Sequence, residues 1–203
     1  MKVYQVAVGP MQNFSYIVED ESTHEAIIID PSWDLDKIIQ IVEEQNLNPK
    51  YLVNTHWHDD HTRGNEELAK ELSLKIVQHS ASDLKNDMTV SDGDSIKFGC
   101  SELVVYHTPG HSKDSICLAG DGKIFSGDTL FVGNCGRIDL PGGSSRELYH
   151  SLFDVISNLD DSLIMYPGHD YGSTPTSTIG NEKMTNPVMQ KVSEEDFVMR
   201  MGG

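Results

Sequence analysis

Cysteine is scarce in this chain of 203 residues. Cys100, Cys117 and Cys135 form an odd, sparse set that describes no disulfide framework, which points to a reducing, cytoplasmic setting. Long apolar runs are absent too. Nothing reaches the roughly 18 apolar residues that a spanning helix needs, so no membrane partner is expected. The N-terminal stretch MKVYQVAVGPMQNF lacks the apolar core and the small-residue cleavage site of a signal peptide. Basic residues are few: 15 Lys and Arg stand against 32 Asp and Glu, a formal net charge of −17. That balance argues against a nucleic acid partner, which calls for a basic patch. Bound cations would invert the field locally, and the acidic surface itself favours solubility. A length of 203 residues suits one domain, 1–203, with a sizeable core.

What the chain does have is a dense cluster of metal-binding side chains. The string THWHDDHTRGN places His56, His58, Asp60 and His61 within six residues. In an extended or tightly turned segment, side chains two apart point the same way, so His56 and His58 can grip one ion. Asp60 and His61 lie past the bend and can turn toward a second. Packing this many polar groups together is costly without a compensating ion. Three further candidates each sit in a turn after a strand-like run: His111 in HTPGHS, Asp128 in FSGDTLF and His169 in YPGHDYG. Imidazole and carboxylate without thiolate suit zinc, iron or manganese.

The pattern of the remaining chain places these segments. Strands are predicted over Val3–Val8, Phe14–Val18 and Ala26–Ile29, the last stopped by Asp30-Pro31. A helix follows over LDKIIQIVEEQ, capped by Asp34 or Ser32 and ended by Asn48-Pro49; Leu35, Ile38, Ile39 and Val42 share its apolar face. Strand KYLVN runs into the His cluster, so the ligands sit at a strand's C-terminal end, where open α/β folds place their chemistry. A helix over Glu66–Leu72 and strand LKIVQ come next. From Asp92 onward, GDSIKFG, ELVVYH, SICLAG and KIFSG are short strands, with Gly120-Asp121-Gly122 a hairpin turn. Ser144 or Ser145 caps a helix over RELYHSLFDVISNL, and LIMYP returns to His169. The order, β-rich then α, twice over, fits two sheets packed face to face with helices outside.

HWHDDH, followed by the later Gly-His, Gly-Asp and Gly-His pairs, resembles the metallo-β-lactamase fold superfamily. SGDTLFVGNCGRIDLPGG and the YPGHDYG and STIGNEK segments are most similar to its glyoxalase II branch and to the persulfide dioxygenase relatives of that branch. The resemblance implies an α/β (α+β) fold: a four-layer αββα sandwich of two mixed β-sheets with helices outside. It also implies that His56, His58 and His111 hold a first metal, that Asp60, His61 and His169 hold a second, and that Asp128 bridges them. Arg137 and Tyr171 fall where glyoxalase II contacts glutathione. Asp139 stands where the hydrolase has a Tyr, and little follows His169 where the hydrolase has a helical region. Both departures bear on glutathione-thioester specificity rather than on the metals.

The leading expectation is a dinuclear hydrolase, glyoxalase II-like, with two divalent ions, zinc first and iron or manganese next. Two ions about 3.5–4 Å apart would hold a hydroxide that cleaves a thioester, ester or lactone of small size. A thiolate leaving group, with a pKa of about 8.5, needs no strong acid. Asp60 would both ligate and orient the nucleophile, and Asp30 would support the cluster from behind. The alternative is a mononuclear iron persulfide dioxygenase, with His56, His111 and Asp128 as its two-His, one-carboxylate set. A further alternative is β-lactamase or ribonuclease activity on the same site, and a structural metal module is the non-enzymatic one. A homodimer is compatible with each. Cys135 is expected to be a neutral structural thiol. His24, His79, His107 and His150 are expected to be structural or surface residues, and Trp57 and Tyr166 to pack.

Overall fold

The computed structural model describes residues 1–202, and its strands form two sheets of six. The first contains β1 (Lys2–Val8), β2 (Asn13–Glu19), β3 (Glu25–Ile29), β4 (Asn48–Val53), β5 (Lys75–His79) and β6 (Met88–Val90), neighbours in that order. β1 to β3 are antiparallel, and β3 to β6 are parallel. Parallel neighbours need a crossover. The first is α1 (Leu35–Glu44); the second is α2 (Asp59–Thr62) with α3 (Asn65–Glu71).

The second sheet contains β7 (Ser95–Phe98), β8 (Ser101–His107), β9 (Ile116–Gly120), β10 (Lys123–Gly127), β11 (Ile164–Pro167) and β12 (Ser177–Thr178). β7 to β10 form an antiparallel meander, and β11 lies parallel to β10. Between these two run α4 (Ser145–His150) and a π-helical turn over Ser151–Val155. α5 (Ile179–Thr185) and α6 (Glu194–Met201) complete the fold. Because β8, β10 and β11 all run one way, their C-terminal ends share one edge of the sheet. The C-terminal ends of β3 and β4 supply the facing edge of the other sheet.

Alternation along each strand sorts side chains between layers. In β3, Ile27 and Ile29 enter the core between the sheets, and Ala26 and Ile28 face α1 and α3. In β9, Ile116 and Leu118 face the first sheet, and Cys117 and Ala119 face α4 to α6. Strands covered on both faces show unbroken apolar runs, as in EAIII and ICLAG. The architecture is thus the αββα sandwich implied by the resemblance.

Several local expectations are corrected. Asp34 occupies the N-cap of α1 in a left-handed conformation and gives it no side-chain hydrogen bond; its carboxylate accepts from the Gly9 N–H and Lys37 Nζ. Ser32 does not cap it either. The helix stops at Glu44, where Asn46 turns left-handed (φ 52°), and Asn48-Pro49 begins β4 instead of ending α1. Ser144 caps α4 by accepting from the Glu147 N–H, as expected. The regular α-helix ends after six residues, though, and the wider π turn aligns Leu148, Leu152 and Ile156 against the sheet. The hairpin at Asp121-Gly122 has both residues at positive φ, 47° and 72°, which suits a two-residue turn between twisted strands. β6, β12, α5 and α6 had no sequence assignment. Among the described residues, no helix is long and apolar enough to cross a membrane.

Leu103 is fully buried between the sheets. Leu103→Ala is expected to lower unfolding free energy by about 2–5 kcal/mol through lost burial and a residual cavity. Urea unfolding with an unchanged slope and a lower midpoint is the check.

Candidate metal centre

Four chain segments meet where the aligned strand ends face each other. The turn after β4 brings His56, His58, Asp60 and His61, the last two on α2. The loop after β8 brings His111, and Asp128 and His169 lie just past the ends of β10 and β11. Their ligand atoms form three groups, each within 4.8 Å: His56, His58 and His111; His56, His61 and Asp128; and Asp60, His61 and His169. Asp128 faces both ends of the cluster. Its Oδ2 lies 3.5 Å from His111 Nε2 and 3.3 Å from His169 Nε2, and its Oδ1 lies 3.4 Å from His61 Nε2.

The rings are aimed from behind. His56 Nδ1 lies 3.1 Å from Thr55 Oγ1, and His61 Nδ1 lies 3.0 Å from Asp30 Oδ2. His111 Nδ1 donates to the Arg137 carbonyl (2.6 Å), and His169 Nδ1 donates to the Met11 carbonyl (3.0 Å). A ring whose Nδ1 is engaged outside the cluster offers Nε2 to it. His58 is turned the other way: its Nδ1 faces His111 Nε2 at 2.9 Å. Asp30 holds the turn as well as His61, accepting from the Thr55 N–H (2.7 Å) and Thr55 Oγ1 (2.6 Å).

Electrostatics divide the cluster. Burial, reinforced by the neighbouring imidazoles, holds His56 well below its ordinary pKa and lowers His58 to about 4, so both are neutral donors. Burial also lowers His61 and His169, but carboxylates outweigh it. Asp128 and Asp30 raise His61, while Asp128 and Asp60 raise His169 to about 10. Burial disfavours the charged form of Asp128, yet the surrounding imidazoles hold its pKa far below the usual range. Buried carboxylates here demand positive charge, which protons or a cation can supply.

The donor set fits a cation. His56 Nε2, His58 Nε2 and Asp128 Oδ1 are buried without a hydrogen-bond partner. Such orphaned polar atoms each cost free energy, and several converging imidazoles and carboxylates suit a borderline divalent metal. Close backbone approach is part of the fit. A Cβ on Gly168 would lie 2.2 Å from Asp128 Oδ1, and Gly127, at φ 48°, rests against Thr55.

A cleft of about 410 Å³ opens beside the cluster. Besides five of the seven cluster residues, His58, Asp60, His111, Asp128 and His169, its walls include Arg137, Tyr171, Phe131, Asn134 and Cys135. Tyr171 stacks on His169 with ring centroids 4.5 Å apart, and Phe131 meets both edge-on. Arg137 is exposed and clasped by Asp139 through two hydrogen bonds of 2.5 and 2.6 Å. Cys135 lines the cleft, but burial pushes its thiol up to about 12, so it stays neutral. His79 and His107 stack on each other, His24 pairs with Glu19 and His150 with Asp154. Tyr166 packs against the inter-sheet core, and the Trp57 ring packs beside His58.

Three sets of residues in or behind the site are not among the sequence candidates. Asn54, Asn65 and Gln78 form a buried amide network under the turn: Asn65 and Gln78 donate to Asn54 Oδ1, and Asn54 Nδ2 donates to the His61 carbonyl. Glu182 and Asn186, in the NEKMTN part of α5 and its exit, hold the wall loop. Glu182 accepts from the Gly133 N–H, and Asn186 donates to the Phe131 and Asn134 carbonyls. Asn13, at the start of β2, donates to Asp60. Asn54 and Gln78 end predicted strands and Glu182 lies in the STIGNEK segment, but nothing in the sequence marks the contacts they make.

Comparison with known proteins gives these features a context. The model of the metallo-beta-lactamase superfamily matches residues 8–169. The mitochondrial persulfide dioxygenase ETHE1 of Homo sapiens is 35% identical over 193 residues, covering 93% of this chain and 76% of the relative. A hydroxyacylglutathione hydrolase of Tolumonas auensis is 36% identical over 172 residues, covering 82% of this chain and 66% of the hydrolase. The crystal structure of ETHE1 from Myxococcus xanthus superposes with a TM-score of 0.95 at 32% identity, covering 100% of this chain and 91% of that one.

Asp30→Ala removes the acceptor of His61 Nδ1 and of the Thr55 turn. The expected result is metal affinity weakened about 10–100-fold, read by competition with a chromogenic chelator. Unchanged affinity would mean that Asp30 serves the turn alone.

Proposed function

The chain belongs to the metallo-beta-lactamase superfamily, and from that premise we propose that it is an iron-dependent dioxygenase acting on a small-molecule persulfide, with glutathione persulfide the first candidate. The observation that carries this reading is the correspondence, across the whole of this chain, with the ETHE1 structure from Myxococcus xanthus. Asp139 supports it: the residue that is Tyr in glyoxalase II is here a carboxylate engaged with Arg137. The hydrolase expectation, first on motif grounds, moves to second place. What favours it is the intact second set, Asp60, His61 and His169.

In this reading His56, His111 and Asp128 would hold one iron; the ring centroids of His56 and His111 are 4.8 Å apart, and His111 Nε2 is 3.5 Å from Asp128 Oδ2. When bound, a metal held by two His and one carboxylate keeps positions open for dioxygen and a sulfur ligand. The protein's own residues do the rest. His169 Nε2 holds a proton toward Asp128 and Asp60 and sets positive charge beside the cleft, where an anionic persulfide would lie. Tyr171 and Phe131 form an aromatic wall against that sulfur. Arg137 at the rim recognises a substrate carboxylate by exchanging it for the carboxylate of Asp139, since both present the same bidentate surface. The reaction is RSSH + O₂ + H₂O → RSH + sulfite + two protons, with the outer sulfur oxidised and dioxygen reduced.

Freshly purified protein is expected to contain one iron per chain, and to consume one dioxygen per glutathione persulfide with release of sulfite. Two zinc ions per chain with oxygen-independent cleavage of S-lactoylglutathione would establish the hydrolase in its place. Elemental analysis, an oxygen electrode and an anaerobic absorbance assay separate the two.

A further inference from the structure

Asp60 is the least enclosed of the acidic and imidazole groups around the second candidate metal position: its side chain is 17% exposed, against 0% for His61, 3% for His169 and 8% for Asp128. It is also a carboxylate at the start of a four-residue helix, where little backbone structure restrains it. The imidazoles of His61 and His169 lie 3.5 and 3.4 Å from its Oδ2, and one amide restrains it more closely. Asn13 is 1% exposed, and its Nδ2 donates to the Asp60 carbonyl and to Asp60 Oδ2, each at 3.0 Å. Both hydrogens of the amide are spent on one residue, which fixes the carboxylate relative to its own backbone. The amide orientation is chemically forced: reversed, it would set its oxygen against two acceptors. The third neighbour, His61 Nε2, lies 3.5 Å from the same nitrogen.

The chain around Asn13 is tied to the same half of the cluster. His169 Nδ1 donates to the Met11 carbonyl, Phe14 N–H donates to the Gly168 carbonyl, and Asp170 N–H donates to the Gln12 carbonyl. Asn13 itself bridges to His169 through the backbone. No hydrogen bond from residues 11–14 reaches His56, His58 or His111 among the described contacts. The segment therefore organises Asp60 and His169 and leaves the other set alone.

We infer that Asn13 is a positioning residue: by clamping Asp60 it sets the affinity of the second cation position, built by Asp60, His61 and His169, without setting that of the first. A carboxylate freed from the clamp can rotate toward solvent, and the remnant of His61, His169 and Asp128 binds a cation less tightly. This inference rests on the metal-centre reading and concerns the zinc capacity of the metal-stripped chain, whichever ion and stoichiometry the enzyme uses in catalysis.

The test is calorimetric titration of zinc into metal-stripped protein, with elemental analysis of the product. The unaltered protein is expected to take two equivalents. Asn13→Ala removes the amide but no backbone hydrogen bond of β2; it is expected to keep the first affinity within about twofold and weaken the second about 10–100-fold. Asn13→Asp has nearly the same shape and sets a carboxylate against a carboxylate; it is expected to lose the second equivalent as well, and it serves if the alanine variant fails to fold by circular dichroism. Two equivalents at unaltered affinity in either folded variant overturn the inference. So does equal weakening of both positions, which would mark a merely structural role, and so does a single equivalent in the unaltered protein.

Discussion

A buried carboxylate, Asp128, facing imidazoles from three directions is the constraint on which the rest of the site depends. Removed from water, its charge must be met by positive charge nearby, and lone pairs on His56 and His58 must find something to bind. Protons satisfy part of this demand at His61 and His169, and a divalent cation satisfies all of it at once. The strand ends, the glycines at close approaches and the tight turn after β4 are what bring the groups near enough for the demand to exist.

The arrangement is rigid because the outward nitrogens are anchored. Four rings are held through Nδ1, to Thr55, Asp30, the Arg137 carbonyl and the Met11 carbonyl. Two of those anchors are backbone carbonyls, so loop conformation and ring orientation are one variable. Arg137 shows the economy of this: its carbonyl steers His111 while its guanidinium sits at the rim with Asp139. The wall loop is held in turn by Glu182 and Asn186, so α5 and its exit shape the cleft from behind.

The ligating side chains were legible because they are dense or because a glycine precedes them at a strand end, as at His111, Asp128 and His169. Two facing sheets could be read from the apolar runs, whereas the four-layer arrangement came from the resemblance. The amides were silent. Asn13, Asn54 and Asn186 act through bonds that span many residues of chain, and a lone asparagine carries no periodicity. β6 and β12, of three and two residues, are too short to show alternation. Asp34 carried a capping signature, but Gly9 and Lys37 competed for its carboxylate, an outcome set by tertiary contact. The motif did not order hydrolase and dioxygenase, because both branches that the sequence resembles carry the HxHxDH string, and relatives of both kinds match the chain.

Ownership of the cluster is divided: the first sheet contributes His56, His58, Asp60 and His61, and the second contributes His111, Asp128 and His169. Any ion they share is a removable weld across the seam between the two halves of the sandwich. The free energy of holding that ion is then added to the packing between the sheets, so loading the site also fastens one half of the sandwich to the other.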